Sequence, residues 1–464
     1  MNLKARWQFS AILSVQPQLV NSMQFEQQVP IVAFVAGNYA PDLCGIADYT
    51  ENLRHALREC GTESTVLTTS DSARLCRIPS VMDALTNWDL GGVISLVRTI
   101  QKVGANIVHV QYTRVSSSRF DHRSEILWLP AIVRCLGISV RIVTTVHEGF
   151  GDTETEWNGP KPSRLPDGLV KSCGQHSCLL DLEKATLLPG SDAILVTTAL
   201  NESEGRSRLQ RAADRIVRIP IGSNIPLQRL SRTEAACRLR KEQGWPIDSI
   251  IIASFGFLSV DRDLSLLLRA FSIVMATDSR VRLLLIGGTE SMRLRGQEAK
   301  AECIKLREVI ADFGLAQYVS ITGYLSREDV SLNLLGSDIG VTPFKAGTSL
   351  KSGSLIAMLS HHLPTIATRH NPPDPDLDAS QSVVLVPPND VDALAKSFKV
   401  LMTLPPDSLA AMRDACASFS QRFDWSMIAR NHISVYDAVL DNSELNLGLD
   451  ECYHLPAERQ HNGG

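Results

Sequence analysis

No stretch of this chain holds the roughly 18–20 consecutive apolar residues that a helix needs to cross a bilayer, so no membrane-spanning helix is expected. Nor is there an excess of basic charge: 46 Lys and Arg against 50 Asp and Glu give a net charge of -4, too little positive field for a nucleic-acid binder. The 10 cysteines do not form a disulfide or metal framework. Cys173 and Cys178 lie close in "SCGQHSC" with His176 between them, but no second ligand pair stands at metal-site spacing. Scattered thiols suit a reducing cytoplasm. A leader is not expected either. The opening "MNLKARWQFSAILSVQPQLVNSMQF" has a basic start, but Gln16 and Gln18 interrupt its apolar stretch and no cleavage site follows. Residues 1–28 are therefore expected to be a disordered extension. The glycine turn "GNYAPDLCG" lacks the G-x-G-x-x-G spacing, which weighs against a nicotinamide enzyme.

What is present is a globular composition, 44% hydrophobic and 21% charged over 464 residues, more than one core usually organises. Short apolar runs alternate with helix-length segments. "VPIVAFVAG", "ESTVLTT", "ANIVHVQY", "VRIVTTVHE", "DAILVTT" and "IVRIPIG" read as strands of a first half. The pattern breaks at Pro220, Gly222 and Pro226. A second series follows: "SIIIASFGFL", "RVRLLLIGG", "YVSITGYL", "DIGVTPF", "LPTIAT" and "SVVLVPP". Strands separated by helices predict an α/β protein with two parallel sheets covered on both faces. The boundaries expected are 29–226 and 227–422 for the two domains, 423–440 for a last amphipathic helix, and 441–464 for a polar tail.

Ligands of such sheets lie beyond the carboxyl ends of strands, where loops feed helix N-termini. "TPFKAGTSLKSGSLIAML" is one such handover, with Lys345, Thr348, Ser349, Lys351, Ser352, Gly353 and Ser354 in the loop. It reads either as a turn whose serines cap a helix or as an anion holder. In "GFLSVDRD", Arg262 offers a planar fork suited to phosphate at a helix start. His147 ends the run "TTVHEGFG" at a strand's carboxyl end, with Glu148 a weaker candidate beside it. His109 and Gln111 in "VHVQY" fit sheet-end packing or substrate contact equally well.

In order, "AGNYAPDLCGIADYTENLRHAL", "NIVHVQY", "VTTVHEGFG", "IPIGSNIP", "FGFLSVDRDLSLLLRAF", "ITGYLSREDV" and "VVLVPPNDVDALAKSF" resemble the retaining glycosyltransferases of family 4 from about Val29 to Leu440. The resemblance implies the GT-B fold: two Rossmann-like doubly wound domains facing across a cleft, with the last helix crossing back to the first domain. It implies a nucleotide-sugar donor on the C-terminal half and an acceptor hydroxyl on the N-terminal half. It also implies a reaction with no metal or other cofactor. On that basis His147 addresses the donor sugar, and Arg262 and Lys351 hold the leaving diphosphate. Ser349 and the amides of Gly353, Ser354 and Leu355 contact the donor. Gly222, Ser223 and Asn224 at the interdomain connection fit a donor-phosphate contact or a turn set by glycine and proline equally well. Gly45, Ile46, Ala47 and Asp48 frame the acceptor.

The chain also departs from the family pattern. Two glutamates that many members carry fall, by alignment on Pro364, at Ser349 and Ala357, and Phe257 takes the place of an arginine. These departures keep two alternatives open: a catalytically degenerate GT-B protein that only binds, and a GT-B nucleotide-sugar epimerase. The expected setting is bacterial glycan or glycoconjugate assembly in the cytoplasm, with a peripheral place at the membrane's inner face if the acceptor is a lipid. Nucleotide, sugar, acceptor and oligomeric state are not specified by these residues.

Overall fold

The computed structural model describes residues 29–42, 44–85, 90–113, 125–150, 186–259, 261–290 and 294–445. The extension 1–28, the Cys173–Cys178 segment with His176, and nearly all of the tail 441–464 lie outside them. Two separate parallel sheets form. The first holds seven strands: β1 (Val32–Val35), β2 (Ser64–Thr68), β3 (Val81–Asp83), β4 (Ile107–Tyr112), β5 (Arg141–Val146), β6 (Ala193–Val196) and β7 (Ile216–Arg218), in the order β3-β2-β1-β4-β5-β6-β7. The second holds six: β8 (Ile250–Phe255), β9 (Val281–Ile286), β10 (Val319–Ile321), β11 (Ile339–Thr342), β12 (Thr365–Thr368) and β13 (Val383–Val386), in the order β10-β9-β8-β11-β12-β13.

Twelve of the thirteen strands coincide with the apolar runs of the sequence. The exception is β3, three residues at the sheet edge with only Val81 buried, too short for a periodic signal. In both sheets the order reverses beside the first strand, between β1 and β4 and between β8 and β11, so each half has one crevice at its carboxyl edge. Strand residues such as Ala33, Phe34, Val108, Leu283, Leu284 and Ile366 are fully buried because helices cover both faces.

The helix Trp425–Leu440 starts at Asp424, whose carboxylate accepts from the amides of Ser426 and Met427. Its Ile428, Ala429, Val435, Tyr436 and Val439 enter the same core as Val32, Phe34, Tyr49, Leu53 and Leu57, so this helix packs on the first strand and first helix. Gly222 makes this close: a Cβ there would lie 2.4 Å from the Trp425 ring. The Trp425 indole N–H donates to the Ser223 carbonyl at 2.7 Å, and Asn224 accepts from Asn52 at 3.2 Å. No helix among the described residues is long and apolar enough to cross a membrane.

Three histidines, His109, His361 and His432, are fully buried. Burial pushes His361 and His432 down to about 4 and His109 well below its ordinary range. Each ring is therefore neutral in the fold but protonates near pH 6.5 once unfolded, so the stability it contributes is whole above that pH and lost as pH falls below it, towards about 4 for His361 and His432. Each site costs up to about 1.4 kcal/mol per pH unit in that window. The urea midpoint is expected to drop between about pH 7 and pH 5, with a shallower slope in His432→Gln; a flat midpoint would refute neutral burial. At the joint, Gly222→Ala should cost about 1–3 kcal/mol by overpacking Trp425, read as a lower melting temperature. Unchanged melting would mean that the ring does not rest on Gly222.

Candidate active site

Beyond β11 the chain turns through Gly347, whose φ of +86° brings it against the backbone of Arg369 and His370, and reaches the helix Gly353–Ser360. Ser352 caps that helix: its hydroxyl accepts from the Leu355 amide at 3.3 Å. This corrects one expectation, because the Leu355 amide is spent on the cap and is not available to a ligand. Gly353 and Ser354 are the first two helical residues, so their amides have no intrahelical partner. A Cβ added at Gly353 would meet nothing within 4 Å, so that face is open. The two readings of the loop are thus both realised, the cap by Ser352 and the open helix end by Gly353 and Ser354. Ser349 accepts from the Lys351 amide at 3.4 Å and is half-buried.

Arg262 is placed differently from expectation. Its fork does not project into the cleft; it is 4% exposed and lies beneath the turn after β8. It donates to the carbonyls of Phe255 and Phe257, to the Ser354 hydroxyl at 2.7 Å and to Ser254 at 3.4 Å, and it stacks on Phe344 at 4.7 Å. Gly256, with φ of +118°, fits over it because a Cβ there would stand 2.4 Å from the guanidinium. No carboxylate among the described residues pairs with this charge, and burial alone lowers its pKa to about 10, so it stays protonated at neutral pH. The result is an uncompensated positive charge under the helix N-terminus, attached through Ser354.

Lys351 crosses the cleft. A Cβ on Gly149, in the turn after His147, would lie 3.5 Å from the Lys351 ammonium and 3.5 Å from a Glu204 carboxylate oxygen. The structure therefore brings Lys351 to the loop that carries His147. The His147 ring donates from Nε2 to the Gln111 side-chain oxygen at 2.7 Å and meets the Tyr49 ring edge-on at 4.9 Å. Burial, with a smaller effect of His432, pushes the His147 pKa down to about 3, so the ring is neutral. Glu148 accepts from Thr113 at 2.6 Å. His109 is the packing residue of the two readings, held by Tyr436 and Thr145 at 2.7 Å each.

On the acceptor side Gly45 to Asp48 open the helix Gly45–Glu59. Gly45 is exposed and Ile46 half-buried, but Ala47 is wholly buried and points into the core, a correction to its expected role. Asp48 is claimed from across the cleft: Arg327 donates to Asp48 at 3.2 Å, to Glu51 at 2.8 Å and to Asn52 at 3.2 Å. Burial raises the Asp48 pKa and Arg327 partly offsets it. Gly222, Ser223 and Asn224 are engaged in the interdomain joint described above. Ala357 is also fully buried, so its side chain packs in a core.

Arg327 with Glu51 and Asn52, and the pair Arg218–Asp376 at 2.8 Å, bridge the two halves and were not singled out in the sequence. Pairs separated by more than a hundred residues leave no local pattern; only the charge of "LSREDV" hinted at one. Among the described residues no group of three or more His, Cys, Asp and Glu side chains is placed to hold a metal ion.

Residues 249–403 match the family model described as glycosyl transferases group 1. No curated protein is a significant sequence match. Among solved structures, a glycosyltransferase from Rickettsia africae ESF-5 superposes with a TM-score of 0.64 at 16% identity, over 90% of this chain and 100% of that one. Sucrose-phosphate synthase from Thermosynechococcus elongatus gives 0.62 at 18% identity, over 89% and 100%. HepE from Anabaena, solved with UDP and glucose, gives 0.62 at 13% identity, over 88% and 100%. At these identities the likeness is one of fold. The chain has the GT-B fold, residues 249–403 match a glycosyl transferases group 1 domain, and the two findings together support a glycosyltransferase.

Proposed function

We propose that this chain is a retaining glycosyltransferase that moves a sugar from a nucleoside-diphosphate donor to an acceptor hydroxyl without a metal ion, in bacterial glycan or glycoconjugate assembly. The observation that carries the reading is the buried, carboxylate-free guanidinium of Arg262 beneath the open N-terminus of Gly353–Ser360. A buried cation without a counter-ion favours an anion at the nearest accessible point. That point is the helix end, where the amides of Gly353 and Ser354 are presented and Lys351 stands two residues away. A diphosphate meets these needs, and HepE, with the same fold, was solved with UDP.

In this reading the bond from the anomeric carbon to the diphosphate oxygen breaks while negative charge grows on the diphosphate. Arg262 stabilises that charge through the field it sets up from below, and Lys351 stabilises it directly. The acceptor oxygen bonds to the same face of the sugar, and its proton passes to the departing phosphate. His147 lies at the cleft loop beside the sugar's place, and the Gly45–Ile46 turn with Asp48 receives the acceptor. Closing the cleft around these groups excludes water, the competing acceptor.

Thermal stabilisation by UDP, other nucleoside diphosphates and their sugars tests the reading. A donor at a hundred times its dissociation constant should raise stability by about 2.7 kcal/mol in the wild type. The response should be lost in Lys351→Ala and weakened in Arg262→Gln. A panel with no response would remove the diphosphate site. Binding without transfer or hydrolysis would favour the non-catalytic alternative, to which Ala357 in its buried place lends itself, and conversion of the donor with no acceptor present would favour the epimerase.

A further inference from the structure

The carboxyl ends of β4 and β5 carry two cross-strand polar pairs on one face. His109 and Thr145 meet at 2.7 Å, and one step nearer the cleft Gln111 and His147 meet at 2.7 Å. The first pair is closed, since the other His109 nitrogen is bonded to Tyr436. The second is open at two atoms. Among the described residues the buried Gln111 amide nitrogen has no partner, and the His147 ring nitrogen not facing Gln111 makes no hydrogen bond. Gln111 is only 4% exposed, so leaving half its amide unmade costs on the order of a hydrogen bond, which an apolar residue would avoid.

We propose that Gln111 is a positioning residue that fixes His147 as its Nε2–H tautomer, so that Nδ1 accepts a hydrogen bond from a hydroxyl of the donor sugar. The proposal deepens the glycosyl-transfer reading and rests on it. The Gln111 oxygen can only accept, so the ring nitrogen facing it carries the hydrogen. A neutral imidazole holds one hydrogen, which leaves a lone pair on Nδ1. Burial keeps the ring neutral, and no carboxylate bonds to it. The groups around it keep that state. Tyr49 meets it from the first helix and His432 acts on it from the crossing helix; His109 stands behind it on β4, and the adjacent Glu148 is occupied by Thr113. Tyr49 is in turn held by His432, whose Nδ1 faces the Ile428 carbonyl at 2.7 Å and so carries hydrogen, leaving its Nε2 facing the Tyr49 hydroxyl at 3.3 Å. His147 is therefore a fixed acceptor, neither a cation for the diphosphate nor a proton donor.

The test is the nitrogen-15 spectrum of histidine-labelled full-length protein, with the His147 signals identified by their loss in His147→Gln, alongside kinetics of two variants. The spectrum is expected to show protonated Nε2 and unprotonated Nδ1 from about pH 6 to 8. Gln111→Leu should lower kcat and kcat/KM for the donor about three- to tenfold, the worth of one hydrogen bond. Gln111→Glu places a carboxylate on the ring, raises its pKa and consumes the Nδ1 lone pair on protonation. Its kcat should then fall as pH falls, along an acid limb that the wild type lacks. A protonated Nδ1 in the wild type overturns the proposal, as do wild-type kcat and pH profile in both variants, which would leave Gln111 as strand packing. The spectrum needs no substrate, so the tautomer is judged separately from the activity. Protonated Nε2 with no donor turned over by the wild type overturns the glycosyl-transfer reading and the sugar-hydroxyl role with it.

Discussion

The helix Trp425–Leu440 leaves the C-terminal half and buries its apolar face among Val32, Phe34, Leu53 and Leu57 of the N-terminal half. Residues near both ends of the chain thus share one core, and the cleft between the sheets has a fixed floor. Trp425 over Gly222 sets how closely the two halves approach. The same helix supplies Tyr436 to His109 and His432 to Tyr49, and Tyr49 meets both Trp425 and His147. Packing at the joint and the orientation of the candidate sugar-binding histidine are therefore parts of one buried aromatic cluster.

Around that floor the charges are distributed unevenly. On the acceptor side Arg327 is matched by Asp48 and Glu51, a partly exposed cluster that closes the cleft mouth without leaving net positive charge. On the C-terminal half Arg262 has no carboxylate among the described residues, and Lys351 stretches towards the opposite wall. A half-exposed cluster can exchange its partners for water at small cost, whereas a buried guanidinium cannot. The first arrangement suits a mouth that opens and shuts; the second suits a place where an anion is bound.

The periodicity of the chain made the two sheets legible, because strands buried on both faces read as continuous apolar runs and the segments between them as amphipathic helices. Edge strand β3 escaped because three residues with one buried side chain carry no period. The cap by Ser352 and the glycines at 256 and 347 belong to this local layer, since serine before a helix and glycine at positive φ are decided within a few residues.

The sequence by itself determined the two-sheet α/β architecture, the order of its elements and the loops that feed helix ends, because hydrophobic period and capping act over short spans of chain. Only the tertiary structure decided which way the side chains of those loops turn. Arg262 goes under its loop because Gly256 and Ser354 close over it, and Ala47 and Ala357 go into cores because neighbouring elements cover them. Gly222 to Asn224 became a joint because Trp425, two hundred residues away, packs there. Those outcomes depend on burial and on partners distant in sequence, which no local pattern records.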